Sequence, residues 1–262
     1  MRKAVLLAGA FFFCIPGYLC GQTKQRVIHV FVALADNAHQ GIVPVPAALG
    51  NGDDPAHNLY WGAAFGVRTF FRSSPEWRES WHIQNPYRAV LERSVFEHRT
   101  QNVTIVADAY RGSEIKQAVT DFLSAAAGIR LHEGEGKACA SDGIVICPPE
   151  DADVVVYVGH DGLMDFQLTM DFADAKGPSR SAIVLACASR AFFKDLLKKS
   201  GATPLLWTNG LMAPEAYTLK AALDGWMADE SSEQIRRRAA GAYAKYQKCS
   251  DTAALRLFSA DW

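Results

Sequence analysis

The sequence predicts an α/β protein with a mainly parallel sheet flanked by helices. Short apolar, β-branched runs recur at residues 27–35, 102–110, 154–158, 182–186 and 204–208. Without polar alternation, such runs read as strands buried on both faces, as parallel strands are. Segments of helical periodicity separate most of them, and parallel neighbours require such crossovers. No internal repeat or low-complexity tract interrupts the alternation.

Length and charge narrow the class. A chain of 262 residues can hold one substantial α/β domain, and a formal net charge of -1 supplies no global footprint for nucleic acid or an anionic membrane. Arg2 and Lys3 precede an apolar stretch over 4–19 that Pro16 and Gly17 break. This is the layout of a secretory signal peptide over 1–21, cleaved after Gly21. The expected product is a single domain over 22–262, secreted or periplasmic. Lipidation at Cys20 and an uncleaved anchor are the alternatives, although the apolar run is short for a span. No later segment is long enough to cross a bilayer.

Beyond the leader stand Cys139, Cys147, Cys187 and Cys249. Cys139 and Cys147 flank the turn signal Ser141-Asp142-Gly143, which predicts a hairpin closed by a disulfide in an oxidising compartment. Cys187 and Cys249 then either form a second disulfide or remain apart, with Cys187 free and Cys249 near the surface.

The first strand, with Val27, Ile28, Val30, Phe31 and Val32, ends near Asp36-Asn37. A stretch rich in Gly, Pro, Asn and Asp follows to about Pro55, and a loop of that length leaving a strand end can border a crevice. Asn51-Gly52-Asp53-Asp54 lacks the full spacing of a calcium loop. Leu59, Tyr60, Ala63, Ala64, Val67 and Phe71 predict a helix over 57–71, and a second helix is expected over 85–98. The interleaved Trp77, Arg78, Trp81, Arg88 and Arg93 read as the rim of core helices rather than a nucleic-acid surface. The strand at 102–110 leads to a helix whose stripe is Ile115, Ala118, Val119, Phe122, Leu123 and Ala126, closed by Gly128. Helices are expected again over 189–200, 214–227 and 231–248, with a strand over 204–208.

Two strands end in reactive side chains. Val154 to Gly159 is followed by His160-Asp161-Gly162, and Ala182 to Ala186 by Cys187-Ala188-Ser189. About twenty residues separate the strands, enough for a crossover. Parallel neighbours would bring His160 and Cys187 to one carboxyl edge, where open α/β sheets bind ligands. A thiol beside an imidazole is a nucleophile with its base. A single strand-end Cys is usually a small buried apolar residue, and a single His is often structural. Their coincidence favours chemistry. A Gly-x-Ser-x-Gly elbow is absent, and no close ligand spacing points to a metal.

These segments resemble the caspase-like fold, the group of caspases, legumains, gingipains and CHAT-type peptidases. The matching features are a hydrophobic strand ending in His with Gly close behind, then a strand ending in Ala-Cys-x-Ser. The stretch 211–217 is similar to one after the catalytic strands in some bacterial members. The resemblance implies a three-layer fold and an exported cysteine peptidase acting on a peptide or protein, with no cofactor. It implies Cys187 as nucleophile, His160 as proton carrier and an oxyanion held by backbone N–H groups near Asp161, Gly162 and Cys187. Asn37 occupies the place of the Asn that orients the His in legumains. The family usually has Gly directly after the His, whereas Asp161 intervenes here, and the His-to-Cys interval is short. Asp161 and Asp165 are candidates for reading a basic substrate side chain. A catalytically inactive member would instead serve as a binding or scaffold module.

Overall fold

The protein is described from a computed structural model, covering residues 24–131, 151–173, 175 and 179–262. The expected leader and the Cys139/Cys147 hairpin lie outside the described residues. The strands β1 (Arg26–Ala33), β2 (Trp77–Tyr87), β3 (Val90–His98), β4 (Val103–Tyr110), β5 (Val154–Val158), β6 (Ser181–Leu185), β7 (Thr203–Thr208) and β8 (Phe258–Ser259) form one sheet. Its order is β2-β3-β4-β1-β5-β6-β7-β8. The central strands β4, β1, β5, β6 and β7 run parallel, and antiparallel pairs close both ends.

Both faces are covered, which explains the unbroken apolar runs. On one face Val27, Phe31, Tyr157, Val184 and Ala186 pack under α2 (Ile115–Ala126) and α3 (Ser189–Ser200). On the other, Ile28, Val30, Val156, Ile183 and Leu185 meet α1 (Val67–Ser73), α4 (Ala216–Met227), α5 (Ser232–Gln247) and α6 (Asp251–Leu257). The architecture is a three-layer α/β sandwich. Each large apolar side chain sealed between layers stabilises it by about 1.5–3 kcal/mol.

Two expected helices are corrected. Residues 57–65 form compact turns, and α1 begins only at Val67. The turns are pinned by buried Asn58, which accepts from Ala35 N at 3.0 Å and donates to Ala35 O at 2.8 Å. The expected helix over 85–98 is the β2–β3 ribbon. Its inner strand carries buried Glu92, Arg93 and Ser94, whose polarity hid a strand from periodicity reasoning. Each has a partner remote in sequence: Trp61 Nε1 donates to Glu92 at 2.7 Å, Arg93 binds Asp108, and Ser94 Oγ donates to Glu79 at 2.8 Å. Helix α6 and strand β8 were not expected from the sequence.

Candidate active site

The register of β5 and β6 positions the two reactive residues. Val158 pairs with Leu185, and Gly159 N donates to Leu185 O at 3.2 Å. His160 and Cys187 therefore stand in step, each two residues past a paired position, on strands about 4.8 Å apart. Both line a pocket of about 470 Å³ at the carboxyl edge of the sheet.

The backbone before His160 and after Cys187 is unusual at both points. Gly159 has φ 153°, and a Cβ there would lie 2.9 Å from Ala33 O. Only glycine lets β5 leave the sheet this close to β1. Ala188 has φ 49°, a left-handed conformation that costs a non-glycine residue roughly 1–2 kcal/mol. It turns the chain sharply from Cys187 into α3. Ala188 N donates to Gly210 O at 2.8 Å, while buried Ser189 donates through Oγ to Val184 O at 2.9 Å and accepts from Thr208 N at 3.0 Å. Ser189 of the Ala-Cys-x-Ser run is thus a brace.

His160 is fixed by a carboxylate. Its Nε2 lies 2.7 Å from Asp165 Oδ2, which also accepts from Gly41 N at 2.9 Å. The carbonyl of His160 accepts from the Tyr157 hydroxyl at 2.7 Å. Asp165 follows a 3-10 turn, Gly162–Met164, that folds it back onto the ring. It holds the histidine, so its Oδ2 is engaged by the ring and by Gly41 N rather than left for a substrate cation. With Nε2 engaged, Nδ1 makes no hydrogen bond among the described residues.

Asp161 and Gly162 build that turn from behind. Asp161 is fully buried, and its Oδ1 accepts from Leu163 N at 3.0 Å. A Cβ on Gly162 would fall 2.7 Å from the Phe166 ring. Among the described residues, the pocket wall includes Gly159 and His160 but neither Asp161 nor Gly162. Burial pushes the Asp161 carboxyl up to about 7. A raised folded-state value favours the protonated form, so this group's contribution is best at low pH and is lost as pH rises from about 4 to about 7. Asp161→Asn, a neutral isostere, is therefore expected to gain thermal stability relative to the parent as pH is raised across that window, with no relative gain below pH ~4. Melting curves from pH 4 to 8 check this; a constant difference between the two proteins contradicts it.

Cys187 is half-buried and free, and Cys249 is free and exposed. The two are not joined to each other in this structure. Cys187 Sγ accepts from Met212 N at 3.4 Å and lies 3.6 Å from Met212 O. No hydrogen bond joins it to His160 among the described residues; the two share a wall with different partners. Asn37 does not hold His160. Its Nδ2 donates to Val45 O at 2.8 Å, and its Oδ1 accepts from Val45 N at 3.0 Å. It shapes the long loop after β1, which does border the crevice through Gly41, Ile42, Val43 and Val45. Asp53 and Asp54 in that loop pair with Arg111 and His57.

The rest of the wall is apolar apart from a few polar groups. Tyr60, Glu215 and Gln247 were missed by sequence reasoning as pocket residues. Burial above all, with the nearby Glu215 carboxylate adding to it, pushes the Tyr60 hydroxyl well above its ordinary value, so it remains a donor. No protein-family model, curated protein or solved structure matches this chain. No helix among the described residues is long and apolar enough to cross a membrane.

Proposed function

We propose that this protein is an exported, caspase-like cysteine peptidase whose pocket hydrolyses peptide bonds. The observation that carries the reading is the in-step ending of β5 and β6, with His160 and a free Cys187 on one pocket wall. Cys187 Sγ attacks the peptide carbonyl carbon, and its proton passes to His160 Nδ1. His160 delivers that proton to the leaving amine as the C–N bond breaks, leaving a thioester. Water, deprotonated by His160, then attacks the thioester, releasing the carboxylic acid and restoring the thiol. Asp165 on Nε2 holds the ring orientation and tautomer throughout, the role a carboxylate plays in comparable triads. Export is supported by the signal-like pattern over 1–21.

A second reading, a binding module on the same scaffold, is favoured by one observation: the thiol is bonded to the Met212 backbone and not to His160. A peptide chloromethyl ketone separates the two. The peptidase reading expects alkylation of Cys187 in the native protein, slowed by His160→Ala, as read by mass mapping of each cysteine. Alkylation confined to exposed Cys249 would select the binding module.

A further inference from the structure

Beside the reactive pair, the pocket holds a carboxylate with no established use. Glu215 is the acidic group among the described lining residues, and neither Lys nor Arg lines the pocket with it. It is the N-cap residue of α4, yet its side chain does not cap the helix. Instead Oε2 accepts from the Tyr217 hydroxyl at 2.8 Å and from Gln247 Nε2 at 3.0 Å. Gln247 Nε2 also donates to the Tyr217 oxygen at 2.7 Å, so the three groups close a small network. Tyr217 is held in turn, stacked on Tyr246 with centroids 4.3 Å apart and edge-on to Phe65. Both donors are neutral, both bind the same oxygen, and Glu215 makes no ion pair among the described residues. Oε1 remains for a ligand. The same pocket wall carries Glu215, Tyr60, His160 and Cys187.

We infer that Glu215 reads a cationic side chain, lysine or arginine, of the peptide bound in this pocket; the peptide as ligand rests on the peptidase reading above. The physical reason is selectivity by desolvation. The wall of the pocket that holds Glu215 is largely apolar, with Ile42, Leu59, Met212 and Pro214 among its lining residues. A neutral or apolar side chain would strip water from the carboxylate without replacing its hydrogen bonds. An ammonium or guanidinium restores them with a charge-assisted bond, and the apolar wall accommodates its aliphatic stem. An acidic side chain would meet like charge. Orientation of Oε2 by Tyr217 and Gln247 pre-organises the acceptor, so little ordering is needed on binding.

The test uses the full-length protein carrying Cys187→Ala, which prevents turnover, and fluorescent peptide amides differing only in one residue: arginine, lysine, citrulline or glutamate. Fluorescence anisotropy is expected to show the arginyl and lysyl peptides binding at least about tenfold tighter than the citrullinyl one, with the glutamyl peptide weakest. Adding Glu215→Gln should level the series, and Glu215→Asp should retain part of the preference. Equal binding of arginyl and citrullinyl peptides, including failure of both to bind, overturns the inference, as does a preference unchanged by Glu215→Gln. Hydrolysis of the same peptides by the unsubstituted protein is read separately. Preference without any hydrolysis rejects the peptidase reading and keeps the cation site; equal cleavage of citrullinyl and arginyl peptides rejects the cation site and keeps the peptidase.

Discussion

If the proposed peptidase activity holds, Cys187→Ala is expected to reduce peptide hydrolysis to background, a loss of kcat of roughly 10⁴ or more, and His160→Ala to do nearly the same. In that mechanism nucleophile and base act as a unit, so the double variant should lose no more than either single one. The fold should survive both. Cys187 lies past the paired part of β6, and its sulfur's hydrogen bonds among the described residues are the weak ones to Met212, while His160 lies past the end of β5. Asp165→Asn should be milder, lowering kcat by ~10²–10⁴, because it disturbs the tautomer and leaves the base in place. The measurement is kcat on a fluorogenic peptide beside the melting temperature of each variant. Hydrolysis that persists in folded Cys187→Ala would remove the thiol from the mechanism.

Asp108→Ala should produce the largest loss of stability, about 3–5 kcal/mol. Asp108 is buried on β4, where it accepts from Arg93 Nε and Nη2, both at 2.6 Å, and from His29 Nε2 at 2.8 Å. Burial alone would raise its carboxyl, but the Arg93 guanidinium and then His29 override burial and hold it well below the usual carboxylate range. Asp108 likewise lifts Arg93 above its ordinary value against the cost of burial. Burial outweighs Asp108 for His29, which is held below its ordinary value and stays neutral, donating through Nε2. Deleting the carboxylate therefore strands a charged guanidinium inside the sheet layer and deprives His29 of its acceptor. The pH dependence follows from the sign. A depressed folded-state value means that stabilisation is complete above the ordinary 3.8 and is lost only as pH falls from there through the lower folded value. The gap between parent and variant in urea midpoint should be constant at neutral pH and shrink only below pH ~4. A loss under about 1 kcal/mol at pH 7 would show that the guanidinium finds water or another acceptor.

Legibility in the sequence tracked the range of the interactions. The strands β1, β4, β5, β6 and β7 were readable because both faces are buried, and that burial is written locally in Val, Ile, Leu and Ala. The β2–β3 ribbon was not, because Glu92, Arg93 and Ser94 occupy buried positions that become acceptable only through Trp61, Asp108 and Glu79. The same division runs through the site. His160 and Cys187 could be picked out as strand-end residues, whereas Asn37 fitted an expected place but folds against Val45. Asp165 is legible in the sequence only as a loop acid suited to a basic substrate side chain, and its bond to the His160 ring depends on the turn capped by Asp161.

By itself the sequence determined an alternating α/β chain and delivered a thiol and an imidazole to the ends of two buried strands. Those are consequences of apolar periodicity, which needs only near neighbours. The tertiary structure alone decided that β5 and β6 are adjacent, parallel and in step, that Cys187 is free, that Asp165 holds His160, and that Glu215 faces the same pocket. Polar groups choose partners by position and orientation in space, and that choice exists only once distant segments have packed together.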